Sequence, residues 1–144
     1  MSAPSLQIFN ESMTELPFSE EEALFVLKHI EDSHHIRFEF VELVYVDEKQ
    51  IVEINTRHLS RDYVTDIISF RYDEEPDNQS IEGTLFCCSP RITEQAKEFN
   101  EPEKREFLRV FIHGLLHLEG YEDDTVEKKA EMTRLEDFFL LKSE

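Results

Sequence analysis

An α+β domain, a small mixed β-sheet packed against several helices, is the fold class that this 144-residue sequence predicts. Three observations carry that expectation. Apolar residues recur at helical spacing in separate segments towards both ends of the chain. Aromatic and β-branched runs of strand length lie between them. The segment 102–118 is apolar on most of its circumference, as befits a central buried helix. Because the elements follow one another without a repeat or a linker, residues 1–144 read as a single domain.

The elements can be justified in order. Ser19-Glu20-Glu21-Glu22 has the form of a capping box, with Ser19 as N-cap and Glu22 at N3; Ala23, Leu24, Leu27 and Ile30 then make the apolar stripe of a helix running to about Glu31. Ile36–Val46 is rich in aromatic and β-branched residues, and Ile36, Phe38 and Phe40 alternate with charged neighbours, which predicts a strand with one face covered. Asp47-Glu48-Lys49-Gln50 repeats the capping pattern before a short helix carrying Ile51 and Ile54. Two further strands are expected at Asp66–Tyr72 and Ser80–Cys88, joined by a polar, proline-containing loop read as a flap. Pro90 falls where the first turn of a helix over Arg91–Phe99 would begin, and Pro102 opens the helix that runs through His117. Asp124-Thr125-Val126-Glu127 caps a last helix, with Met132, Leu135, Phe138 and Phe139 expected to pack inward.

Composition narrows the function classes. Hydrophobic residues make up 40% and charged residues 33%, a globular balance rather than a disordered one. The N-terminus has no basic segment followed by an apolar one, and no stretch approaches the roughly 20 apolar residues that span a bilayer, so a soluble, cytoplasmic protein without a membrane partner is expected. The two cysteines are adjacent, Cys87 and Cys88, and are read as reduced, partly buried thiols. Fifteen Lys and Arg against 33 Asp and Glu leave a net charge of −18. Such a balance opposes a phosphate backbone unless a local basic strip or a metal offsets it within the screening distance of about 8 Å.

The stretch HGLLHLEGYEDD, residues 113–124, is where the chemistry concentrates. His113 and His117 are one helical turn apart, with Cβ atoms roughly 6 Å from each other, close enough for both rings to reach one ion at about 2.1 Å. A straight helix would carry the following acids away from that point, but Gly120 can take the left-handed conformation that ends the helix and returns the chain, bringing Asp123 to the side of the pair. The spacing H-x3-H-x2-G-x2-D matches zincin-type metal sites, except that their general-base glutamate is Gly114 here. His113, His117 and Asp123 are therefore the candidate ligands of one zinc or other divalent transition ion, with a fourth position open. Two core histidines bonded to backbone carbonyls are the alternative for His113 and His117; Glu119, Glu122 and Asp124 are read as solvated or outer groups.

HGLLHLEGYED, preceded by Asn55-x9-Thr65-Asp66-Ile67-Ile68-Ser69-Phe70, resembles the YbeY family of bacterial metal-dependent endoribonucleases over most of the chain. The resemblance implies an α+β fold and a role in ribosomal RNA maturation, at the 3′ end of the small-subunit RNA, and in ribosome quality control. Single-stranded and ribosomal RNA are the implied partners, with ribosomal particles or ribosome-associated proteins and without DNA. The family motif usually carries a third histidine where this chain has Asp123, and an arginine four residues after the asparagine where this chain has Leu59. His58 stands at the family's aromatic position, Val64 at its proline, and Arg61 is the residue placed to supply the missing charge.

On that basis the expected chemistry is metal-assisted hydrolysis of an RNA phosphodiester. Arg61 offsets transition-state charge, and His58, Glu119 or Glu122 is the candidate general base. Arg105, Arg109, His113 and His117 lie at successive i, i+4 positions, which predicts a basic stripe leading to the ion. Arg57, Arg71 and Arg91 are further candidates for placing phosphates, with surface ion pairs the plainer reading for Arg57 and Arg91. A zincin-like metallopeptidase, a non-catalytic ribosome-associated binding module and a purely structural metal site remain as alternatives.

Overall fold

The computed structural model describes residues 5–72 and 80–143. In chain order the elements are β1 (Leu6–Asn10), α1 (Glu20–His34), β2 (Arg37–Val46), α2 (Glu48–Leu59), β3 (Ile67–Arg71), β4 (Ser80–Cys88), α3 (Ser89–Glu98), α4 (Glu103–Glu119) and α5 (Val126–Ser143). The proposed flap, residues 73–79, lies outside the described residues. Among the described residues no helix is long and apolar enough to cross a membrane.

Both capping boxes form. Ser19 and Glu22 exchange hydrogen bonds at the start of α1, and Asp47 and Gln50 do the same for α2. At the last helix the cap is one residue later than expected: the Thr125 hydroxyl accepts from the Lys128 N–H at 3.1 Å. Phe138 also departs from expectation, being 43% exposed while Leu135 and Phe139 are buried.

The four strands form one sheet in the order β1-β2-β4-β3, with β1 and β4 parallel to β2 and β3 antiparallel to β4. The edge strand β1 is an addition to the expected set. It is five residues long, and only Leu6 in it is fully buried, so its alternation is faint.

Strand β2 is covered on both faces rather than one. Val41, Leu43 and Tyr45 join the larger core with residues of α1, α4 and α5, whereas Val44 and Val46 join Ile51 of α2 in a smaller one. A register shift between Phe38 and Phe40 explains why Phe38 shares the larger core with the odd-numbered residues. The extra residue there, Glu39, switches the parity of the strand. Helix α4 is buried at ten positions, as the central helix of the domain should be. Cys87 and Cys88 are free thiols, fully rather than partly buried, and burial pushes the Cys88 thiol up to about 11.

Candidate metal centre

The C-terminal turn of α4 puts the chemistry together. Gly120 has φ of 118°, and its N–H bonds the carbonyls of Leu116 and His117 at 3.1 and 3.0 Å. The Tyr121 N–H closes the same turn on Leu116 O at 3.0 Å. A left-handed residue at this position costs glycine little and any other residue more. The chain reverses there, and Asp123 returns beside the helix it has just left.

His113 and His117 then face one another, Nε2 to Nε2, at 2.9 Å. Asp123 Oδ2 lies 3.5 Å from the first nitrogen and 3.7 Å from the second. Ligands on a tetrahedral ion at about 2.0–2.1 Å stand roughly 3.4 Å apart. The three distances bracket that value. Two imidazole nitrogens and one carboxylate oxygen are a donor set for zinc and its neighbours, so the residues present fit such an ion. Burial, and then the neighbouring His113, draw the His117 imidazole below its ordinary pKa, which favours the neutral form that ligates.

Behind His113 stands a residue the sequence reading passed over. Glu136 of α5 is 4% exposed, and its Oε2 accepts from His113 Nδ1 at 2.6 Å. A carboxylate on Nδ1 holds the proton there and leaves the Nε2 lone pair aimed at the site. Its one sequence signal is position: Glu136 lies four residues after Met132 and three before Phe139, on the inward face of an otherwise apolar stripe.

The three donors open into a cleft of about 310 Å³ whose other wall includes Leu59, Thr65, Asp66 and Ser69. Gly114 packs against the sheet. A Cβ at that position would lie 2.5 Å from Ile67 Cδ1 and 3.0 Å from both Leu85 methyl groups, so the helix packs on the sheet where a zincin would carry its glutamate.

A sequence profile of the family Endoribonuclease YbeY matches residues 8–144. The chain belongs to the YbeY family. A protein of Chlorobium limicola named Endoribonuclease YbeY is 40% identical over 135 residues, which cover 94% of this chain and 90% of that protein. One of the same name from Chlorobium phaeobacteroides is 33% identical, covering 94% of this chain and 95% of its own length. The solution structure of TM1509 from Thermotoga maritima matches with a TM-score of 0.64 at 26% identity, over 96% of this chain and 88% of that one.

The other sequence candidates of this YbeY-family chain are distributed unevenly around the centre. Leu59 lines the cleft, where it stands in place of the arginine of the family pattern. Arg61 is exposed on the loop just beyond, its main chain tied to α2 by Asn55 O and by the Thr56 hydroxyl. His58 packs edge-on against the Phe70 ring at 5.1 Å and is not among the cleft-lining residues.

Glu119 turns to the opposite side of the helix end. Both of its carboxylate oxygens lie 2.8 Å from His34 Nδ1, and burial raises its pKa despite that contact. Glu122 and Asp124 are exposed and share Lys128, at 3.1 and 3.4 Å.

The basic stripe does not form as expected. Arg105 pairs with Glu101 at 3.4 Å, and Arg109 turns its guanidinium into Glu106 and Glu136. The positions are aligned, but acids supplied by neighbouring turns and by α5 take up the charge. Arg91 is held by Glu94 and Glu98, as the plainer reading had it, and Arg71 donates to Leu118 O at 3.0 Å. Arg57 and Arg61 take no acidic partner among the described residues.

Proposed function

We propose that this protein is a metal-dependent endoribonuclease that hydrolyses single-stranded RNA. In this reading it acts in the cytoplasm on ribosomal RNA, at the 3′ end of the small-subunit RNA, and in ribosome quality control, in contact with ribosomal particles or ribosome-associated proteins. Membership of the YbeY family supports the RNA-cleaving activity. The observation that carries the metal dependence is the convergence of His113, His117 and Asp123 at the mouth of a cleft of about 310 Å³.

In this reading the three side chains hold one zinc or other divalent transition ion, His113 and His117 through neutral imidazole nitrogens and Asp123 through an anionic oxygen. When bound, such an ion supplies Lewis-acid polarisation of a phosphoryl oxygen and acidifies water. Glu136 keeps the His113 proton on Nδ1. Arg61, two residues beyond the cleft-lining Leu59 and without an acidic partner among the described residues, places a phosphate and offsets charge in the transition state. Asp66 lines the cleft together with Asp123, whereas Glu119 is engaged by His34. Asp66 is therefore better placed than Glu119 to accept a proton from attacking water.

A metallopeptidase of the zincin type has less support, because Gly114 brings no carboxylate to the position where a zincin carries its general-base glutamate.

Metal content of untagged protein purified without chelator, measured by plasma mass spectrometry beside His117→Ala and Asp123→Ala, tests this reading. Near-stoichiometric metal in the wild type, lost in both variants together with cleavage of a single-stranded substrate carrying the small-subunit 3′ end, is the expected result. Metal that persists in Asp123→Ala would remove Asp123 from the ligand set. Cleavage that persists without metal would remove the mechanism.

A further inference from the structure

A continuous polar chain runs from one wall of the cleft, through the protein, to a ligand on the other. Asp66 Oδ2 accepts from Gln95 Nε2 at 3.2 Å, and the same amide donates to Glu106 Oε2 at 3.0 Å. Arg109 grips Glu106 with two donors, Nε to Oε1 at 2.8 Å and Nη2 to Oε2. Its third donor, Nη1, reaches Glu136 Oε1 at 3.1 Å, and the other oxygen of that carboxylate accepts from His113 Nδ1 at 2.6 Å.

The interior members of this chain have little water to fall back on. Glu106, Glu136 and Gln95 are 1, 4 and 8% exposed. Two carboxylates so enclosed require a shared cation to stay ionised and fixed in place. Arg109, whose face also lies 5.9 Å from the Phe99 ring, is the cation that both of them contact. A lysine there would be a point charge, unable to hold the Glu106 fork and reach Glu136 together.

We propose that Arg109 is a positioning residue for the metal centre: by fixing Glu136 it sets the tautomer and ring orientation of His113, and so the affinity of the site for its ion. The metal half of this claim rests on the metal-site reading above; the tautomer half does not. Arg109 is not among the residues that line the cleft. Its guanidinium, which along the helix looks like part of an RNA-binding strip, works inward instead.

The test has two readouts. Long-range ¹H–¹⁵N correlation spectra of the metal-free protein report which nitrogen of His113 carries the proton. The wild type should hold it on Nδ1, and Arg109→Met should populate the Nε2–H form. Zinc titration should then give a dissociation constant about 10–100-fold weaker in Arg109→Met, the range seen when outer partners of ligating histidines are removed. Arg109→Lys should fall between the two. In an Glu136→Gln background, Arg109→Met should change the constant less than twofold, because the route through Glu136 is already cut.

A wild-type tautomer with a constant within twofold in Arg109→Met overturns the proposal, as do Arg109 and Glu136 effects that simply add. If Arg109→Met does not fold, wild-type values in Arg109→Lys overturn it equally. Zinc lost in His117→Ala but unmoved in Arg109→Met would leave the metal site standing and the positioning role refuted. A wild type that binds no zinc would refute the metal site, while the His113 tautomer still decides whether Arg109 orders the ring.

Discussion

His117, 27% exposed between His113 and Asp123, has its pKa drawn below the ordinary imidazole value chiefly by burial. The unfolded chain therefore takes up this proton at a higher pH than the folded one. The corresponding stability is fully present above the unfolded value and is lost as pH falls through it towards the lower folded value. Metal-free wild type should accordingly lose more stability than His117→Gln between about pH 7 and about pH 5 in urea titrations; parallel curves would show that the ring is not held neutral. Glu136 teaches a different lesson from the same neighbourhood. Its partners, Arg109 and His113, lie 27 and 23 residues away in sequence, so no local pattern marks it as more than an acid in an apolar stripe. His113, His117 and Asp123 were legible because one helix and its glycine turn hold all three within eleven residues of chain.

Helix α4 approaches the sheet closely because glycines meet it on both sides of the contact. A Cβ on Gly83 of β4 would come within 2.5 Å of the Phe70 carbonyl oxygen and 2.7 Å of Leu118 Cδ2, whereas one on Gly114 would meet only side-chain tips, those of Ile67 and Leu85. Backbone yields less readily than a methyl group, and alanine at Gly114 also gains helix propensity of about 1 kcal/mol. Gly83→Ala should thus cost about 1–3 kcal/mol, and more than Gly114→Ala, by chemical denaturation. An equal or smaller loss at Gly83 would mean that β3 and β4 separate more easily than their pairing indicates. Helices were the readable part of this architecture, since the Ser19 and Asp47 capping boxes are written in four consecutive residues each and both form. Strand β1 and the extra residue at Glu39 were not. A short edge strand with Phe9 43% exposed has little alternation to offer, and a register shift is decided by the partner strand, β4, more than 40 positions further along.

A chain with a net charge of −18 that acts on RNA must limit its reliance on phosphate attraction. With Arg91, Arg105 and Arg109 taken by acids, Arg57 and Arg61 are arginines without an acidic partner among the described residues, and in the proposed reading they are the two that meet phosphates. Two contacts to a single strand correspond to a salt slope of about −1.4, and Arg61→Ala should make it shallower by about 0.7. Fluorescence anisotropy with a catalytically silent His117→Ala background would read this, and a slope beyond about −3 would place many more cations on the RNA than these two. The order β1-β2-β4-β3 has a bearing on synthesis as well. A ribosome delivers the chain from its N-terminus, yet β2 cannot pair with β4 until residue 88 has emerged, and the sheet's larger core is closed only by α4 and α5. His113, Asp123 and Glu136, which contacts the first of them at 2.6 Å, emerge later still. If the proposed centre is the cutting one, a nascent or truncated chain lacks it, and cleavage is withheld until α5 docks.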